Sequence, residues 1–129
     1  KLLELVEKNN IEVDELEKEI PTLLHSPVGA FLAKKEFGIK DTEILNAIRF
    51  HTIGRPEMSK LEMIIFVADV VEPGRNFPGV DLIREKIKKD LDEAVILVCD
   101  FTIKYNIDRR RIIHPNTLYT RNSLLKGVK

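Results

Sequence analysis

The stretch IIFVADVVEPGR, residues 64–75, sets an aspartate in the middle of an apolar run. Ser59 and Glu62, three residues apart just before it, have the spacing of a capping box, and Pro73-Gly74 closes it. The segment therefore reads as one helix of roughly three to four turns. On that helix Leu61, Ile65 and Asp69 fall in one i, i+4, i+8 row, which predicts that Asp69 faces inward. A buried carboxylate needs a cation, a cage of hydrogen bonds or a metal, because an unpaired buried charge is very costly.

Working outward, helix punctuation recurs and strand-type alternation is scarce, so the chain is expected to be all-α. Asp14 to Ile20 forms a short helical turn that Pro21 interrupts. A helix from about Ser26 to Phe37 ends at Gly38, and Asp41 caps another running to about His51. After the Ser59 helix come segments from about Asp81 to Lys89 and Leu91 to Tyr105. A last helix begins near Pro115 and ends before Gly127. Residues 1–129 are expected to form a single domain, since no repeat or composition shift divides them. Leu2, Leu3 and Val6 already have helical spacing with no start signal before them, the pattern of a helix whose beginning lies upstream.

Lysine plus arginine equals aspartate plus glutamate at 21 each, so no bulk field draws the protein to nucleic acid or to an anionic membrane. Aromatic content of 6% gives no stacking pattern for nucleic-acid bases. The single cysteine, Cys99, sits in the apolar segment AVILVCDF and reads as an inert buried thiol. No apolar run reaches membrane-spanning length and no secretory signal is visible, so the expected compartment is the cytoplasm.

Two of the three histidines share the predicament of Asp69. His25 opens its helix on the side of Val28 and Leu32, and His51 continues the row of Ile44 and Ile48. Three helices thus aim metal-type ligands inward, and histidine with carboxylate suits iron, manganese or zinc. One buried histidine is ordinarily a hydrogen-bonded core residue, and one aspartate is as often half of an ion pair. The three together, with arginine-bearing Gly/Pro loops after two of them, favour a metal site. Phosphate donors cluster nearby: Thr52 and Arg55 follow His51, Arg75 follows Asp69, and His114, Asn116 and Thr117 stand at a helix start. Arg109, Arg110 and Arg111 read as a solvated basic turn, and His114 as either a phosphate contact or a helix cap.

The segments LLHSPVGAFLAKKEFGI (23–39), ILNAIRFHTIGRPEMSKLEMIIFVADVVEPGRNFPGV (44–80) and IHPNTLYTRNSLL (113–125) resemble the YqeK family of HD-domain hydrolases. The resemblance implies an HD-domain-like helical bundle and symmetrical cleavage of diadenosine tetraphosphate to two ADP. It also implies an iron centre, two irons per intact site, with other divalent metals compatible. The family's ligands run H…HD…H…H…D, and His25, His51 and Asp69 match the last three, with Asp69 and His51 as catalytic residues. The first histidine and the His-Asp doublet have no counterpart, so the chain is expected to be the C-terminal portion of a parent domain, with apolar surface exposed. Nucleotide phosphates would contact His51, Thr52, Arg75 and the segment Ile112, Ile113, His114, Pro115, Asn116 and Thr117. Arg55 is a weaker candidate, since a Gly-Arg-Pro loop can also be a structural brace. A homodimer is compatible with this reading. The alternative is a non-catalytic nucleotide-binding or interaction module without a complete metal centre.

Overall fold

The computed structural model describes residues 1–127. Helices α1 (Leu2–Lys8) and α2 (Glu15–Glu19) lead into a 3-10 turn (Pro21–Leu24), followed by α3 (His25–Phe37) and α4 (Thr42–Arg49). Then come α5 (Lys60–Val71), α6 (Val80–Ile87), α7 (Leu91–Asp108) and α8 (Pro115–Gly127), with no strand among the described residues. The expected all-α architecture is observed.

Local chemistry sets the helix ends. Asp14 with Glu17 and Ser59 with Glu62 both form complete capping boxes, and the Asp41 and Asp90 carboxylates accept from first-turn amides of α4 and α7. Gly38 ends α3 in the left-handed conformation that disfavours any side chain.

Two apolar clusters organise the packing. The larger joins Met58, Phe66 and Val67 to Ile83 of α6 and to Ala94, Val95, Val98 and Cys99 of α7. The smaller joins Val6, Leu24 and Val28 with partly buried neighbours on α1 and α3. Helix α4 packs on α3 on one side and on α5 on the other, so it bridges the two. Cys99 is fully buried, and burial pushes its thiol up to about 12, which leaves it inert as expected.

The facing of α5 differs from the sequence reading. Its buried residues are Glu62, Phe66 and Val67, whereas Asp69 is exposed and Ile64 and Ile65 lie open to solvent. The helix is apolar almost all round, so two rows could serve as its inward stripe, and α7 takes the Phe66 row. The buried carboxylate of this helix is Glu62. Ile44 of α4 is exposed as well, so α4 and α5 both present apolar side chains to solvent.

Candidate metal and nucleotide site

His25 is exposed rather than turned inward, although Leu24, Ser26, Pro27 and Val28 around it are buried. Its Nδ1 lies 2.6 Å from the Thr22 carbonyl oxygen. His51 sits just beyond α4, half-buried, with its Nδ1 2.7 Å from the Ile48 carbonyl oxygen. A carbonyl can only accept, so each ring donates Nδ1–H and keeps its lone pair on Nε2. The two Nε2 atoms then face each other at 3.2 Å. Two lone pairs at that separation repel unless a cation shares them, and imidazoles held by carbonyls through the other nitrogen are the usual form of a metal-ligating histidine.

The Thr52 hydroxyl lies 3.2 Å from His25 Nε2 and 2.6 Å from the Ser26 hydroxyl. Asp69 shares with His51 an open cavity of about 440 Å³, lined also by Ile48, Ile65, Ala68 and Glu72. His25 and His51 thus meet through their ring nitrogens, and Asp69 is joined to them by the cavity it shares with His51; nitrogen and carboxylate donors of this kind suit a divalent transition metal.

A second cavity, of about 450 Å³, opens beside Thr22 and Thr52 and is walled by Asn106, Ile112, Ile113 and Thr117. Its wall is the start of α8, sewn to the loop that follows His51. The Asn116 amide group donates to the Gly54 carbonyl at 3.0 Å, and the Thr117 hydroxyl donates to the Ile53 carbonyl at 3.2 Å. Gly54 is required there: its φ is +76°, and a Cβ would stand 2.6 Å from Thr120 Oγ1.

For His114 and Arg55 the structure takes the structural side of the alternatives left open by the sequence, as a helix cap and a brace. His114 is buried, its Nε2 donating to Asp14 at 2.7 Å and its Nδ1 accepting from the Asn116 amide at 3.1 Å, so it caps α8 and has no free donor for phosphate. The side chains of Asn116 and Thr117 are committed to the loop carbonyls. Arg55 makes a forked pair with buried Glu62, both contacts 2.8 Å, which makes it a brace. Burial pushes the Glu62 carboxyl up, and Arg55 with the Ser59 amide and hydroxyl pull it below the ordinary carboxylate range. Arg75 is exposed and loosely paired with Glu72 at 3.7 Å. Pro115 and Ile112 are exposed and Ile113 is half-buried.

Sequence reasoning missed two long-range ties. Arg49 donates to both oxygens of buried Glu17 at 2.9 Å, and Asp14 receives His114. Asp14, Glu17 and His114 could in principle surround a metal. Their atoms are already spent on Arg49, on each other and on the Asn116 amide. The sequence reading placed a short helical turn at Asp14 to Ile20 and carried no sign of either distant partner.

The HD-domain sequence profile matches residues 4–74, which include His25, His51 and Asp69. The chain belongs to the HD-domain family. The chain is 50% identical over 107 residues to the symmetrical bis(5'-nucleosyl)-tetraphosphatase of Halalkalibacterium halodurans, covering 83% of this chain and 57% of that protein. It is 45% identical to the Bacillus subtilis protein of the same name, covering 83% of this chain and 58% of the relative. The chain thus spans a little over half the length of these relatives. A solved structure from Clostridium acetobutylicum, a "predicted HD superfamily hydrolase involved in NAD metabolism", superposes with a TM-score of 0.92 at 44% identity. That match covers 98% of this chain and 67% of the other.

Proposed function

We propose that this chain carries part of the active site of a metal-dependent phosphohydrolase that cleaves diadenosine tetraphosphate symmetrically to two ADP. The observation that carries the reading is the pair of Nε2 atoms 3.2 Å apart, each ring anchored through Nδ1 to a backbone carbonyl. Kinship with two proteins named for this reaction supports the substrate.

His25, His51 and Asp69 would hold the metal, iron in this reading and two ions in the intact site. When bound, it supplies positive charge that activates water and offsets charge on the phosphoryl oxygens. The chain's own residues position the rest. The carbonyls of Thr22 and Ile48 fix the two imidazoles, so that neither ring must reorient during turnover. The Thr52 hydroxyl, beside His25 Nε2, donates to a phosphate oxygen. Arg75 gives up its exposed pairing with Glu72, worth at most about 1 kcal/mol, to reach the polyphosphate. The cavity walled by Ile112, Ile113 and Thr117 takes the nucleoside end, and its apolar sides suit a base and ribose.

The test uses protein expressed from the full open reading frame, loaded with Fe²⁺ or Mn²⁺ and given diadenosine tetraphosphate, with products separated by chromatography. ADP as the sole nucleotide product is expected, with activity abolished by a chelator and by Asp69→Ala or His51→Ala. ATP plus AMP would exclude the symmetrical reaction. Nucleotide binding that ignores the chelator, without turnover, would instead establish a non-catalytic module.

A further inference from the structure

The contact between Asp14 and His114 joins residues 100 positions apart, yet neither touches the histidine pair. His114 is 5% exposed, and both its ring nitrogens are engaged. The carboxylate oxygen of Asp14 can only accept, so Nε2 carries the proton. The Asn116 backbone N–H can only donate, so Nδ1 must be bare. These two neighbours admit a single neutral form of the ring.

The consequence runs on through α8. Asn116, whose amide is received by His114, donates its side chain to the Gly54 carbonyl, and Thr117 donates to the Ile53 carbonyl. Those carbonyls follow directly on His51 and Thr52. A ring in the other tautomer would set an N–H against the Asn116 N–H, and the first turn of α8 would have to move.

We propose that Asp14 is a positioning residue for the nucleotide-binding wall at 112–117: by fixing His114 in its Nε2–H form, it locks the start of α8 against the loop after His51. The inference rests on the reading of that wall as the nucleoside site. Asp14 itself contacts no substrate. Its other oxygen accepts from the Glu17 amide at 2.8 Å and caps α2, so the two jobs must be separated experimentally.

Two variants separate them. Asp14→Asn presents either an amide N–H to His114 or one to Glu17, so one of the two contacts fails. Asp14→Ser keeps a good cap for α2 but is too short to reach His114. Imidazole ¹⁵N shifts report the tautomer, and amide shifts during ADP titration report the wall. The expected results are an Nε2–H form of His114 in the wild-type chain and ADP-induced shifts at residues 112–117. In Asp14→Ser ADP affinity falls about tenfold, the loss of roughly one charge-assisted hydrogen bond, while the α2 amides stay helical, and in Asp14→Asn it falls when the ¹⁵N shifts show that His114 has left the Nε2–H form. Wild-type-like ADP affinity in Asp14→Ser, whatever its melting temperature, overturns the inference alone. The Nδ1–H form of His114 in the wild type also overturns it. Absence of any ADP-induced shift in the wild type overturns the nucleoside-site reading, and the inference with it.

Discussion

Gly54 and Arg55 show how much of the site's support rests on single residues of one loop. Gly54→Ala places a side chain at φ +76° and against Thr120, so it should destabilise the protein by about 1–3 kcal/mol in urea unfolding. The same change displaces the carbonyls that receive Asn116 and Thr117, so ADP binding should weaken alongside. Arg55→Met leaves Glu62, 2% exposed, without its cation. Breaking a buried pair in this way costs about 3–5 kcal/mol, and the low end is expected here because the guanidinium side is 34% exposed. The Glu62 carboxyl should then titrate at higher pH than in the wild type, which ¹³C carboxyl shifts would register.

At the scale of elements, α5 is the test of orientation. Phe66→Ala should cost about 3–5 kcal/mol, whereas Ile64→Ala, on the open face, should stay within about 0.5 kcal/mol; denaturant midpoints would compare them. Equal costs would contradict the packing described for this helix. The limits of α5 were legible in the sequence, because a capping box and a Pro-Gly stop are local signals. Its facing was not, because the choice between the Phe66 row and the Ile65 row is made by α7, far along the chain. The same division holds for the site. His25, His51 and Asp69 could be named from residue type and neighbouring loops, but their exposure could not, because it depends on which face of each helix the rest of the chain covers. The pairing of Glu17 with Arg49, 32 residues away, had no sequence signal at all, since chain chemistry encodes neighbours along the backbone and not partners across the fold.

For the molecule as a whole, acid is the informative perturbation. Asp14 is pushed up by burial, but the Glu17 amide, the His114 ring and Arg49 hold it below its ordinary 3.8. Glu62 is likewise held below 4.5. Depressed carboxylates contribute stability that is fully present above their ordinary values and is lost as the pH falls through the lowered ones. Their contribution to the melting temperature should therefore hold from neutrality to about pH 5 and decline below about pH 4. In Arg55→Met the share of this decline that comes from Glu62 should shrink, because its folded-state carboxyl no longer sits as far below the ordinary value. Glu62 braces the α4–α5 connection through Arg55, and Asp14 acts on it through His114 and the start of α8, so protonating both loosens the loop that carries His51 and Thr52.

The division of the interior into two apolar clusters bears on the order in which the protein comes apart. The smaller cluster holds α1 and α3 with few buried side chains, and His25 rides on it. The larger is anchored by the eighteen-residue α7, and Asp69 rides on a helix packed against that. Cooperative units of unequal strength open at different free energies. Deuterium uptake should reach residues 2–37 well before residues 60–108, and an ion held between His25 and His51 should slow the first group selectively. Chelation would then act as a clasp across the seam, and the weaker half of the molecule would be most resistant to heat, urea and proteases when the metal is bound.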